Sequence, residues 1–112
     1  MRIIRIVAFI LVGMMVIPVS CSPKTLSAEI HIEYIGGGIE GWRPLSVTVS
    51  PGGTVTWVNK GLESATHSVV NDDGLFNKTL GYGESFSFTF SKAGTYTFHD
   101  VPNAETGTVV VK

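Results

Sequence analysis

The residues in this sequence that could do metal chemistry are few, and their types restrict which metals they suit. The histidines are His31, His67 and His99; Asp100 follows His99 directly, and Asn103 lies just beyond in "HDVPNAETG". Imidazole nitrogen and carboxylate oxygen suit Cu(II) or Zn(II), with copper the more tightly bound of the two. Sulfur is another matter. Met1, Met14 and Met15 lie in an apolar N-terminal run and Cys21 stands at its end, so no thiolate or thioether follows in the remaining chain.

Other chemistries find less support. No nucleophile–base pair or paired carboxylate of catalytic type stands out, and "GGGIEG" lacks the lysine and helix of a phosphate loop. An enzyme is not expected. His31 sits between Glu29 and Glu33 on a polar strand face and reads as a surface residue. Asp72 and Asp73 lie close in sequence to His67, but ahead of Gly74 they read first as a solvated Asx turn.

The elements that must position these residues are strands. "EIHIEYI" alternates, with Ile30, Ile32 and Tyr34 on one face and Glu29, His31 and Glu33 on the other. "GGGIEG" breaks that strand, and "SPGG" joins "LSVTV" to "TVTWVN". "HSVV" follows, then the turn "NDDG" and the irregular "NKTLGYG". "ESFSFTF" puts Phe86, Phe88 and Phe90 on one face, "TYTFHD" does the same for Tyr96 and Phe98, and "TVVVK" closes the domain. Seven to eight short strands with frequent turns predict an all-β sandwich or barrel, its aromatic residues in the core. Strand parity places Asp100 on the inward side with Phe98 and turns His99 outward, unless a bulge rotates it.

A leader precedes this domain. Arg2 and Arg5 form a basic start and Ile6 to Ile17 an uncharged apolar run, shorter than the roughly 20 residues of a membrane span. Residues 1–20 are therefore expected to be a signal peptide, 21–27 a tether and 28–112 the domain. "IPVSCS" resembles a lipobox, which implies lipidation of Cys21 and a membrane anchor on the extracytoplasmic side. The chain has 8 basic and 9 acidic side chains, and Arg2 and Arg5 go with the leader. A mildly acidic domain without a basic stripe argues against nucleic acid as partner. With one cysteine there is no intrachain disulfide, so the fold stands on its core.

Over residues 28 to 112 the sequence resembles a plastocyanin-type cupredoxin. "WRPLSVTVSPGGTVTWVN", "ATHSVVNDDGLF", "GYGESFSFTF", "AGTYTFHD" and "GTVVV" match that family's segments in order. The resemblance implies a cupredoxin-like Greek-key β-sandwich. It also implies a blue copper site of two imidazoles, a thiolate and a weak axial thioether. Carried over, His67 falls on the first histidine ligand, Asp100 on the cysteine and Asn103 on the second histidine. Glu105 and Thr106 occupy a shortened loop where the methionine would stand. A type 1 electron carrier needs the thiolate, so that function is not expected here. Two readings stay open. One is a copper-handling protein that binds Cu(II) at a non-blue site of His67, Asp100, Asn103 and, if turned inward, His99, for storage, delivery or sensing. The other is a metal-free interaction module that kept the fold.

The leader carries its own test. If Cys21 is lipidated, the mature protein partitions with membranes, and Cys21→Ser releases or misprocesses it in a fractionation assay. A soluble mature protein starting at or beyond Ala28 would count against the anchor.

Overall fold

The computed structural model describes residues 24–62, 65–101 and 103–112, the side chains of residues 103 and 104 excepted. The leader, Cys21 and Pro102 lie outside the described residues. Among the described residues nine strands follow one another: β1 (Ser27–Gly36), β2 (Ile39–Arg43), β3 (Ser46–Val49), β4 (Gly53–Val58), β5 (His67–Asn71), β6 (Asn77–Leu80), β7 (Ser85–Phe90), β8 (Gly94–Asp100) and β9 (Asn103–Val111). They form a four-stranded sheet, β2-β1-β4-β7, and a five-stranded sheet, β3-β9-β8-β5-β6. β1 with β4 and β3 with β9 are parallel pairs; the other pairs are antiparallel.

Two of the nine strands, β2 and β6, exceed the sequence expectation. "GGGIEG" is a hairpin and not merely a break. Gly36, Gly37 and Gly38 have φ of 104°, 62° and 77°, angles open to glycine at little cost, and the chain reverses there to pair β2 with β1. β6 lies in the stretch read as irregular. It is an edge strand whose first three residues are exposed, so it shows no hydrophobic alternation.

The core is where alternation put it. Ile30, Ile32, Val55 and Trp57 of the first sheet and Val49, Val69, Phe98, Val109 and Val111 of the second are buried. Phe76, between β5 and β6, joins them, and rings of Phe76, Phe86 and Phe98 stand 5.3, 5.9 and 5.4 Å from Trp57. Stacked, tilted and edge-on contacts of this kind add to the burial of apolar area. Tyr34 departs from its expected place. A bulge between Tyr34 and Gly36 disturbs the register, and the tyrosine is exposed near the hairpin tip.

Phe98 fixes the β8–β9 hairpin that carries the candidate site. It lies opposite Gly107, where any side-chain carbon would overlap its ring. Gly107→Ala is therefore expected to destabilise the fold by about 1–3 kcal/mol. Urea denaturation measures this, and an unchanged midpoint would show that Phe98 moves freely.

Candidate functional site

Backbone pairing between β5 and β8 covers only Val70 with His99 and Asn71 with Phe98. Beyond that point side chains continue the link. The buried Asp100 carboxylate accepts the Ser68 N–H at 2.9 Å and the Ser68 hydroxyl at 3.2 Å on Oδ1. The Ser68 hydroxyl in turn accepts the Val101 N–H at 2.7 Å. A register shift between His99 and Asp100 accompanies this change of partner. The other oxygen of Asp100, Oδ2, lies 2.5 Å from His67 Nδ1.

The far side of the His67 ring meets a residue the sequence reading missed. Glu40 Oε1 is 2.8 Å from His67 Nε2, and Glu40 Oε2 accepts the Leu62 N–H at 2.8 Å. Glu40 belongs to β2 in one sheet, while His67 and Asp100 belong to β5 and β8 in the other, so the trio bridges the sandwich. Gly61 leaves the space. A Cβ there would strike the Glu40 carboxylate and Ile32. Asn59 shapes the same loop, accepting from Gly61 N–H and donating to the carbonyls of Ala65 and Leu80. A sequence signal for Glu40 did exist: it stands two residues before Trp42, on the same strand face, and Trp42 is a core residue.

The surroundings hold the trio still. Trp42 donates its indole N–H to the Ser68 carbonyl at 3.0 Å and meets the imidazole edge-on at 6.3 Å. Arg43 forms a two-pronged pair with Glu105, at 2.7 and 3.0 Å, which ties β2 to β9. That hydrogen bond raises the Arg43 pKa above its usual value, and burial works against it. A cleft of about 260 Å³ opens beside the ring, lined by Thr66, His67, Ser68, Asn77, Thr79 and Val101.

Of the sequence-predicted residues, His67 and Asp100 are in direct contact. His99 points outward despite the bulge, its Nδ1 2.9 Å from Asp72, whose second oxygen takes the Thr97 hydroxyl at 2.6 Å. The side chain of Asn103 lies outside the described residues. The Asx turn expected of Asp72 and Asp73 is made by Asn71, whose side-chain oxygen accepts from Asp73 N–H and Leu75 N–H.

With this geometry in hand, solved structures give the comparison. The chain matches a purple cupredoxin from Nitrosopumilus maritimus at 28% identity and TM-score 0.64, covering 76% of this chain and 99% of that one. The oxidised plastocyanin of Dryopteris crassirhizoma matches at 26% and 0.59, over 76% and 100% of the two chains. The fold is a cupredoxin fold. A reduced Cu(I) form of an amicyanin variant is similar too, at 25% identity and TM-score 0.60, over 84% of this chain and 88% of that one. No protein-family model matches the chain.

The cupredoxin resemblance raises the question of copper, and the donors answer it poorly. Among the described residues no three His, Cys, Asp or Glu side chains are arranged to hold a metal ion. The carboxylates of Asp100 and Glu40 sit against different nitrogens of one ring, so they face apart. Two donors each about 2.0–2.1 Å from a tetrahedral metal stand roughly 3.3 Å apart. His67 Nδ1 and Asp100 Oδ2 stand closer than that, in direct contact. Thiolate and thioether are missing from these residues altogether. The side chains present do not fit a type 1 copper centre.

Buried ionic groups depend on each other. Removing one partner leaves the rest uncompensated, at about 3–5 kcal/mol. His67→Ala and Asp100→Ala should each lose stability on that scale, and Gly61→Ala should do so by displacing Glu40. His99→Ala, at an exposed pair, should cost at most about 1 kcal/mol. Equal losses for His99→Ala and His67→Ala in thermal unfolding would contradict the network.

Proposed function

We propose that this chain is an exported cupredoxin-fold module that binds a partner at the loop end of the sandwich and carries no electrons through a type 1 centre. One observation carries the reading. At the position the resemblance gives to the copper thiolate stands Asp100, 2% exposed, its oxygens taken by Ser68 and His67. A carboxylate cannot supply the soft bond of a blue site, and this one is already engaged. Around the trio, Ile39, Leu62 and Val101 are exposed. Each is next to a member of the trio in sequence or bonded to it. Exposed apolar side chains on segments that join the trio suit protein contact. Export and a Cys21 anchor rest on the leader pattern, which would display this end outside the cytoplasm.

A second reading has a specific observation in its favour. A metal-ligating imidazole commonly gives its other nitrogen to a carboxylate. Glu40 does this for His67 and leaves Nδ1 facing Asp100. On this reading the protein takes up Cu(II) reversibly in a non-blue site, for storage, delivery or sensing.

Titration of the isolated protein with Cu(II), followed by calorimetry, EPR and absorption, separates the two. The module reading expects no saturable site that depends on His67. The copper reading expects one equivalent bound, abolished by His67→Ala, weakened by Asp100→Asn and unchanged by His31→Ala. An intense thiolate-to-copper band from protein beginning at Ser22, which holds no sulfur, would overturn both.

A further inference from the structure

We propose that Asn77 is a glycosylation site, its side-chain amide taking an oligosaccharide outside the cytoplasm. The inference goes beyond the module reading and rests only on the export in it. The chain has four asparagines, and Asn77 alone is followed two residues on by a hydroxyl, in "NKT". That pattern, with any residue but proline in the middle, is the acceptor for N-linked sugar in exported proteins. Burial separates Asn77 from two of the other asparagines. Asn59 and Asn71 are buried, and their side chains hold backbone groups of nearby segments. Asn77 is exposed, and its amide makes no hydrogen bond among the described residues.

The fold presents this tripeptide in extended form on a sheet edge. β6 is an outer strand and pairs with β5 alone among the described residues. The Asn71 N–H bonds to the Phe76 carbonyl, which sets the phase of the ladder. In the observed register Val69 with Lys78 and His67 with Leu80 are then the hydrogen-bonded pairs. Asn77 and Thr79 are the alternate residues, so their backbone groups point away from β5. Their side chains share one face, about 7 Å apart along the strand, and both line the cleft beside His67. A transferring enzyme can take such a segment as an added strand, with the Thr79 hydroxyl beside the Asn77 amide.

The co-substrate is a lipid-phosphate-linked oligosaccharide. Asn77 Nδ2 bonds to C1 of its first sugar as the bond from C1 to the phosphate oxygen breaks. The amide gives one proton to a base of the enzyme, and the lipid phosphate leaves with the electron pair. A bulky hydrophilic chain at this place shields the β6 edge from pairing with another sheet. It also leaves the opposite flank open. β6 stands beside β7, whereas β2, with the exposed Ile39, is at the far edge of that sheet.

The test is mass spectrometry of the full chain and its variants, purified from the cells that make it. The peptide holding Asn77 should carry the mass of an oligosaccharide. Asn77→Gln and Thr79→Ala, both at exposed positions, should each lose that mass, and Thr79→Ser should keep it. Circular dichroism should show the same β-sandwich in all of them. An exported protein, its leader removed and Asn77 unmodified, would overturn the inference and leave the module reading standing. So would an added mass that survives Asn77→Gln. Protein retained inside the cell with its leader attached would overturn both. One equivalent of Cu(II) bound through His67 on the glycosylated protein would overturn the module reading alone.

Discussion

The contact between a buried imidazole and two buried carboxylates fixes the loop end of this sandwich. Glu40, His67 and Asp100 come from three strands and both sheets, and none is reached freely by water. Burying such groups singly costs several kcal/mol apiece. Together they satisfy one another, and the penalty for separating them becomes a constraint on the backbone. A one-residue slip of β2 would turn Glu40 outward with every other side chain of the strand. The same holds for β8 and Asp100. The network thus sets register as well as stability.

The strands it joins are those whose backbones have stopped pairing. β5 and β8 share two paired positions, and past Val70 and His99 the link passes to Asp100, Ser68 and the Val101 N–H. An aspartate on the inward parity could have been a defect, an anion left in an apolar core. Here Ser68 supplies two donors to one oxygen and the His67 ring meets the other.

Much of this arrangement could be read from the sequence, for reasons that can be named. Alternation around Ile30, Trp57, Phe90 and Phe98 identified strands and core, because side-chain parity reports burial directly. Parity also placed Asp100 inward and His99 outward, and the shift between them did not reverse that. Glu40 escaped notice because three glycines before it read as loop, and a five-residue strand behind a glycine turn offers little alternation. Its partnership with His67 joins residues 27 apart in sequence and in different sheets, a distance no local pattern reports. β6 was missed because an exposed edge strand has no buried face to show.

The likeness to copper proteins and the unsuitability for type 1 copper rest on different parts of the chain. Trp57, Phe76, Phe98 and the valines around them make the sandwich, and none of them is a ligand or touches a ligand position through a polar atom. A TM-score of 0.64 measures the agreement of that scaffold. The chemistry depends on a few side chains at one end, where an imidazole stands between two carboxylates and the described residues hold no sulfur. Fold and function separate here along a physical line. The core responds to volume and parity, while a metal site responds to donor type and spacing, so agreement in the first says nothing of the second.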